Sequence, residues 1–176
     1  MQPLALSEGT LKQAQRTLLA SVAAIGFAQT VLFAILAPLG REVGLVEMQI
    51  GAIISVSSLT LFLVSPIWGR TSDRWGRRKV LLIGLFGYSI GTAFFAAAFQ
   101  AALMGILVPI VAFTALLITR IGNATVMSAV MPAANAYMAD ITDVTTRTKG
   151  MSALGAATNI GSMLGPAIGG LLASIS

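Results

Sequence analysis

The sequence predicts an all-α membrane protein with five transmembrane helices, and two observations carry this prediction. First, 56% of the 176 residues are hydrophobic and only 10% are charged, whereas a soluble domain has roughly 25% charged residues. Second, the charged residues leave five uncharged runs, which cover residues 17–40, 48–69, 80–119, 121–139 and 150–176. Crossing the hydrocarbon core takes about 20 apolar residues as a helix, so runs of this length are typical of membrane spans.

The third uncharged run is too long for a single span, because residues 80–119 would measure roughly 60 Å as a helix. We expect a break between Gln100 and Pro109, after which the next helix continues through Arg120. The predicted helices therefore cover residues 18–39, 50–69, 80–101, 110–138 and 150–173.

Two other interpretations of the apolar runs fit less well. A soluble helical core would need a polar face on most helices, and the uncharged runs supply none. A signal peptide has a shorter apolar run with a small-residue cleavage site after it, and no such site follows the first run. Residues 1–17 are therefore a predicted cytoplasmic tail, and residues 18–176 are a predicted transmembrane domain.

The basic residues are distributed unevenly between the two sides of the predicted bundle. Nine of the 11 lie in the N-terminal tail and in the loops after the second and fourth helices. The other side holds only Arg41, and Arg120 falls within a span. Because basic residues are retained in the cytoplasm, we expect the N-terminus and both basic loops on that side of an inner (plasma) membrane. A basic loop can also bind nucleic acid or anionic lipid, but its position between two spans favours the topological role.

The chain contains no cysteine and no histidine. This excludes disulfide bonds, thiol nucleophiles, imidazole acid–base chemistry and Cys/His zinc sites. We therefore expect neither a metal site nor a cofactor.

Two predicted helices carry the same short pattern 100 residues apart. Residues 65–69 (SPIWG) align with residues 165–169 (GPAIG), so Pro-x-x-Gly recurs in the second and fifth helices. Pro38 and Pro132 also lie late in the first and fourth helices. Because the second and fifth helices run in opposite directions, the copies would be inverted. Inverted three-helix repeats are a feature of secondary transporters, although a pattern this short also arises by chance.

The most specific motif lies between the second and third predicted helices. Residues 69–79 read GRTSDRWGRRK, and the plain interpretation is a tight cytoplasmic turn that Gly69 and Gly76 permit. Topology alone requires neither Asp73 nor the fixed glycine spacing. The segment resembles the loop 2–3 signature of the major facilitator superfamily, G-x-L-(A/S)-D-R-x-G-R-(K/R), with Thr71 in place of the leucine. The resemblance implies twelve helices in two six-helix halves, and this chain would supply five helices of the N-terminal half.

The resemblance also implies a conformational latch made of Gly69, Asp73, Gly76, Arg77 and Asp140. In that family the loop aspartate lies at the cytoplasmic mouth, near the N-terminus of a helix in the second half, where the helix dipole favours an anion. By resemblance Asp73 has that role, and Arg77 would pair with Asp140 at the end of the fourth helix. Such a latch would hold an outward-facing state. The alternative is a solvated network of surface charges, which contributes little energy.

The fifth predicted helix carries a second motif, which consists of Gly161, Gly165, Pro166, Gly169 and Gly170. The glycines spaced by four share one helix face, and small residues there permit close helix contact in lipid. Ordinary tight packing is the plain interpretation. However, the pattern resembles the antiporter signature G-x3-G-P-x2-G-G of drug/proton exporters in the superfamily, whose further upstream glycine is replaced by a serine here. The resemblance favours an exporter over an uptake carrier.

Arg120 is the only charged residue within a predicted span, and a buried cation there is costly. One interpretation is a structural arginine that forms a hydrogen bond to the first helix, at Gln29. The other follows from a likeness of Arg120 and Gly122 to the helix 4 signature R-x-x-x-G of the same exporters, although the family's glycine lies later in register than Gly122; in that family the arginine is linked to proton coupling. The polar residues Gln29, Asn123 and Asn159 are candidates to line a cavity, and each could equally be satisfied by a neighbouring helix.

The function that the resemblance implies is export of a small amphipathic compound by proton-coupled antiport with alternating access. No bond is made or broken, so the chain is not expected to be an enzyme. All six acidic residues fall at or beyond the span ends, so coupling would depend on Arg120 or on an acid in the missing C-terminal helices. The expected partners are the substrate, a proton, the lipid bilayer and those missing helices. Two alternatives remain: an uptake carrier for a sugar or metabolite, and a truncated, non-transporting fragment that needs a partner half.

Overall fold

The computed structural model describes residues 8–173, with side-chain surroundings for residues 9–166. Every regular element of this part of the chain is a helix, so the predicted all-α fold is confirmed. The helices are α1 Glu8–Glu42, α2 Glu47–Trp75, α3 Arg77–Leu103, α4 Pro109–Met127, α5 Val130–Asp140 and α6 Arg147–Ala173.

Four stretches of the described residues are long and apolar enough to cross a membrane. They are Gly9–Glu42, Glu47–Trp75, Arg77–Leu103 and Pro109–Asp140, of which the last covers α4 and α5 together. The first four predicted spans lie within them. The fifth predicted span coincides with α6, and its crossing of the membrane stays a prediction.

The helices extend further at the charged ends than the sequence predicted. α1 begins at Glu8, so residues 8–17 of the predicted tail are helical. α2 continues to Trp75 and includes most of the segment predicted as a turn. Hydropathy marks the part of a helix that lies in the hydrocarbon, whereas residues such as Lys and Arg are good helix formers outside it. The predicted helices were therefore too short at their charged ends.

The connection between α2 and α3 is a single residue, Gly76. Its φ of 95° lies in a region that side chains disfavour, and its N–H donates to the carbonyl of Ser72 at 3.1 Å. The prediction that Gly69 also forms this turn was wrong, because Gly69 lies inside α2. A Cβ atom at Gly69 would lie 3.9 Å from the Cβ atom of Pro132, so this glycine faces α5.

The predicted helix 110–138 is interrupted between Met127 and Val130, which separates α4 from α5. Pro132 explains the interruption, because proline has no N–H to donate to the carbonyl of Ser128 and its ring crowds that carbonyl. The N–H of Ala129 donates instead to Val126 at 3.1 Å, one residue closer than in an α-helix. The other predicted break is confirmed: residues 104–108 separate α3 from α4.

The helices pack as a bundle with one hydrophobic cluster near each end. α1 packs most extensively on α6, and α3 on α4. The starts of α1, α3 and α6 and the ends of α2 and α5 define what we call the basic end, since nine of the 11 basic residues lie there. Val80, Ala133 and Met138 belong to the cluster near the basic end, and Leu36 and Leu116 belong to the cluster near the opposite end.

Candidate functional site

A cavity of about 850 Å³ lies between α1, α2, α4–α5 and α6. All the described residues that line it are uncharged. They are Val22, Ile25, Gly26 and Gln29 of α1, Ser58, Leu61, Phe62, Ser65, Pro66 and Gly69 of α2, Met127, Ser128, Val130, Met131 and Pro132 of α4–α5, and Thr158 and Ser162 of α6. Ligand pockets of about 300–1,000 Å³ with an apolar lining and a few polar groups bind small molecules, so this cavity has the size and chemistry of such a site.

The three polar residues predicted to line a cavity lie in different parts of the bundle. Gln29 lines the cavity, and its Oε1 atom is buried without a hydrogen-bond partner among the described residues. Asn123 lies instead between α3 and α4, where its Nδ2 donates to Thr92 Oγ1 at 3.1 Å. Asn159 is exposed on α6 and is not among the described residues that line the cavity. Only one of the three therefore reaches the cavity directly.

Arg120 is 3% exposed, near the middle of the bundle. Its guanidinium carbon lies 4.8 Å from the ring centroid of Phe33 and 5.8 Å from that of Phe95. A cation over an aromatic face is attracted by the ring quadrupole, but this contact leaves the charge unneutralised. Within the described part of the chain, Arg120 forms no hydrogen bond or ion pair, and its Nε atom is buried without a partner. The predicted hydrogen bond to Gln29 is therefore not formed.

An ion-pair cluster at the basic end brings together three predicted latch residues. Arg77 Nε donates to Asp140 Oδ2 at 2.7 Å, and Arg77 Nη1 donates to Asp73 and, at 3.4 Å, to Ser72 Oγ. The cluster joins the end of α2, the start of α3 and the end of α5. Arg77 is 30% exposed, whereas the two carboxylates are more than half exposed. Partial exposure limits the strength of each pair, so the cluster can form and break at modest cost.

The first two glycines of the motif on α6 face α1. Gly161 and Gly165 are both buried, and a Cβ atom at Gly161 would overlap the backbone carbonyl of Ala23. A Cβ atom at Gly165 would overlap the side chain of Thr30. Close helix contact is thus what these two glycines provide. Pro166 lies inside α6.

The last two glycines of the motif fall within α6 as well, but their packing lies outside the described residues. These are Gly169 and Gly170.

Sequence reasoning missed two features that shape the site. Gly84, Gly87 and Gly91 form a second face of small residues, on α3, and pack closely against α4 and α5. Their spacing of three and four was a visible signal for such a contact. The other feature is a hydrogen bond from Trp68 Nε1 to the carbonyl of Thr125 at 2.7 Å. Nothing in the sequence indicated this contact, because it depends on the interruption between α4 and α5.

No cluster of three or more Asp, Glu, His or Cys side chains that could hold a metal ion occurs among residues 8–173. The candidate site consists of the cavity, the buried Arg120 and the ion-pair cluster.

Apolar helices around a ligand-sized cavity, with breakable ion pairs at one end, define a multi-pass membrane protein of the transporter class. The chain belongs to the Major Facilitator Superfamily, whose family model matches residues 18–176. It is 33% identical to multidrug resistance protein 1 of Bacillus subtilis over 77% of this chain and 32% of the relative. It is 32% identical to multidrug resistance protein 2 of the same species over 70% of this chain and 28% of the relative. It is 26% identical to quinolone resistance protein NorA of Staphylococcus aureus over 77% of this chain and 32% of the relative. The chain thus matches about a third of each relative's length.

Proposed function

We propose that this chain forms part of a secondary active transporter that exports a small amphipathic compound by proton-coupled antiport. The observation that carries the proposal is the cavity of about 850 Å³, whose described lining is uncharged and mostly apolar. Such a surface binds a compound through apolar contact, with the Gln29 amide and a few hydroxyl groups to orient it. A sugar carrier would need more hydrogen-bonding groups than this lining offers, which disfavours the uptake alternative. The names of the relatives, two multidrug resistance proteins and one quinolone resistance protein, support export.

Alternating access requires a contact that closes one side of the cavity and releases it in turn. The ion-pair cluster of Asp73, Arg77 and Asp140 meets this requirement, because it joins three helices through exposed side chains. Gly69 faces α5 beside the cavity, and Gly76 keeps α2 and α3 adjacent. In the proposal the cluster is intact in the outward-facing state and separates when the basic end opens.

Coupling to protons needs a group whose charge changes or is neutralised during the cycle. The described cavity lining holds no carboxylate, whereas Arg120 is a buried cation without a neutralising partner among the described residues. We infer that Arg120 acts on a proton-binding acid supplied by helices beyond the matched third of the relatives. The glycine face of α6 would keep α1 and α6 together during the cycle, as its likeness to the antiporter signature suggests.

The proposed location is the inner (plasma) membrane with the basic end in the cytoplasm. Nine of the 11 basic residues lie at that end, which supports this orientation under the positive-inside rule. Cysteine-labelling tests it directly, because the chain has no cysteine of its own. Lys149→Cys should be protected from an impermeant thiol reagent in whole cells, and Val46→Cys should react.

The experiment that tests the function is dye efflux from energised cells that express the complete open reading frame containing this chain. We expect efflux of a fluorescent amphipathic dye that stops when an uncoupler collapses the proton gradient. Arg120→Lys and Arg120→Ala separate charge from shape: both should lose efflux if the planar guanidinium is needed, and a fully active Arg120→Ala would refute its role in coupling. Accumulation of the dye instead of loss, or efflux that ignores the uncoupler, would contradict proton-coupled export.

A further inference from the structure

The last turn of α4, just before the interruption, is linked to α2 by a long-range hydrogen bond. The indole Nε1 of Trp68 donates to the backbone carbonyl of Thr125 at 2.7 Å. The two residues are 57 positions apart in the chain, so this bond reports tertiary structure and not local geometry. Trp68 also packs against the hydrophobic cluster near the basic end, which fixes its ring.

The carbonyl of Thr125 is available because the helix is broken at that point. In an unbroken α-helix it would accept from the N–H of Ala129, but that N–H donates to Val126 at 3.1 Å. A buried carbonyl without a donor is costly, above all in a membrane. The Ser128 hydroxyl supplies one donor at 2.7 Å, and the indole supplies the other from a different helix.

The interruption connects the cavity with the ion-pair cluster. Ser128, Val130 and Pro132 line the cavity, so the cavity wall includes the interruption between α4 and α5. From there α5 runs for 11 residues to Asp140, a distance of about 16 Å at 1.5 Å per residue. A small change in the direction of α5 at its start therefore becomes a displacement of several ångströms at Asp140.

We propose that Trp68 is a positioning residue that fixes the direction of α5 and thereby holds Asp140 within reach of Arg77. This inference rests on the proposed latch function of the ion-pair cluster. Besides its apolar packing on α3, α5 is constrained by two polar contacts: the indole bond to Thr125, in the last turn of α4 just before the interruption, and the Arg77 pair at its own end. Loss of the indole bond lets the end of α4 shift, and α5 then changes direction. The Arg77–Asp140 pair would then form only part of the time.

The chain offers a matched control for the indole. It contains two tryptophans, and Trp75 is 60% exposed with no hydrogen bond to its indole among the described residues. Trp68→Phe removes the donor and keeps an aromatic ring, and Trp75→Phe makes the same chemical change away from the interruption. Spin labels on Lys79→Cys and Val144→Cys in the full-length protein report the separation of the start of α3 from the connection that follows α5.

We expect Trp68→Phe to broaden the label distance distribution and lengthen its mean by several ångströms, and Trp75→Phe to leave both unchanged. An unchanged distribution in a folded Trp68→Phe protein would overturn the inference. Pro132→Ala provides a second arm, because it allows the N–H of Ala129 to return to the Thr125 carbonyl. In that background Trp68→Phe should change the distances much less, and an equal change would also overturn the inference.

A measurement without any change at Trp68 covers the case in which Trp68→Phe fails to fold. In Trp75→Phe protein the indole N–H of Trp68 is the only one that residues 1–176 contribute, and its exchange with deuterium should be slow because it is hydrogen-bonded in the bundle. Adding Asp140→Asn should accelerate this exchange at least threefold if the two polar contacts support each other. Fast exchange in Trp75→Phe alone, or no acceleration by Asp140→Asn, would contradict the proposal.

Dye efflux separates this inference from the proposed function. If Asp140→Asn retains full efflux, the latch function fails, whereas the label distances still decide whether Trp68 positions Asp140. If Asp140→Asn loses efflux and Trp68→Phe leaves the distances unchanged, the latch stands and the inference about Trp68 fails.

Discussion

Two interhelical contacts of this bundle differ in kind: one is close backbone packing, and the other is a set of side-chain ion pairs. α1 and α6 meet backbone to backbone, because Gly161 places no side chain between its own helix and the carbonyl of Ala23. α2, α3 and α5 meet at the basic end through the side chains of Asp73, Arg77 and Asp140. The first contact leaves no room for a side chain at Gly161. The second consists of exposed groups that water can replace.

The difference indicates which contact can open during a transport cycle. Close backbone packing through small residues is a strong way to join helices in lipid, and it has no partners to exchange. Ion pairs at an exposed surface contribute little each, and their carboxylates can find other donors. We therefore expect α1 and α6 to move as one body, and the contact among α2, α3 and α5 to separate.

The largest effect should come from adding one methyl group to the α1–α6 contact. Gly161→Ala would force Cβ into the Ala23 carbonyl, and overpacking of this kind costs about 1–3 kcal/mol. Thermal unfolding in detergent, followed by tryptophan fluorescence, measures the loss of stability. Gly155→Ala is the matched control, because nothing lies within 4 Å of a Cβ there, and we expect it to be neutral or slightly stabilising. Equal stability of the two variants would remove the distinction between the contacts.

The next effect should come from Arg77→Ala, which removes the shared partner of both carboxylates. We expect at least a tenfold loss of dye efflux by the full-length transporter with membrane insertion unchanged, since the uncharged runs that insert into the bilayer do not include this half-buried arginine. Arg78→Ala controls for the loss of one positive charge from the same turn, because Arg78 is exposed and forms no ion pair among the described residues. Similar efflux by both variants would show that net charge, and not the cluster, is what matters.

Asp73→Asn should have an intermediate effect. It weakens one arm of the cluster and leaves the pair between Arg77 and Asp140 at 2.7 Å, so we expect a partial loss of efflux, smaller than for Arg77→Ala. The rate of dye loss per inserted transporter, with insertion measured by surface labelling, is the readout. Unchanged efflux would exclude Asp73 from the latch.

The smallest effect should come from the ion pair at the opposite end. Arg41 Nε lies 2.7 Å from Glu47 Oε1, and the two side chains are 62% and 71% exposed. They are six residues apart across the α1–α2 connection, so the pair joins helices that the chain already joins. Glu47→Gln should change stability by less than about 1 kcal/mol and efflux by less than twofold. A loss as large as that of Asp73→Asn would mean that both ends form latches.

The helices were predictable because charged side chains are costly in the hydrocarbon core of a membrane. Uncharged runs therefore mark the spans, and this rule needs no knowledge of the tertiary structure. It located the first four spans and the break before Pro109. It failed at the α4–α5 interruption, since Pro132 inside an apolar run leaves hydropathy unchanged while removing a hydrogen bond. It also placed Gly69 in a turn, because a charge-rich segment outside the hydrocarbon gives no hydropathy signal for helix or loop.

The candidate site was predictable where a motif fixes residues close in the chain. Asp73 and Arg77 are four residues apart, on either side of the Gly76 connection, and the resemblance also pointed to Asp140 as the third member. Contacts that depend on how helices rotate against each other were not predictable. Arg120 lies against Phe33 instead of Gln29, and the role of Trp68 follows only from the freed carbonyl of Thr125. Rotation about a helix axis leaves no trace in composition or spacing.

The one-residue connection at Gly76 has a consequence for how the protein is made. α2 ends at Trp75 and α3 begins at Arg77. A connection of one residue is too short for one helix to be inserted in the bilayer while the other remains outside it. We therefore expect the two helices to be integrated as a preassembled hairpin during synthesis. The arginines and lysine that flank the connection would then remain on the cytoplasmic side, where the ribosome synthesises the chain.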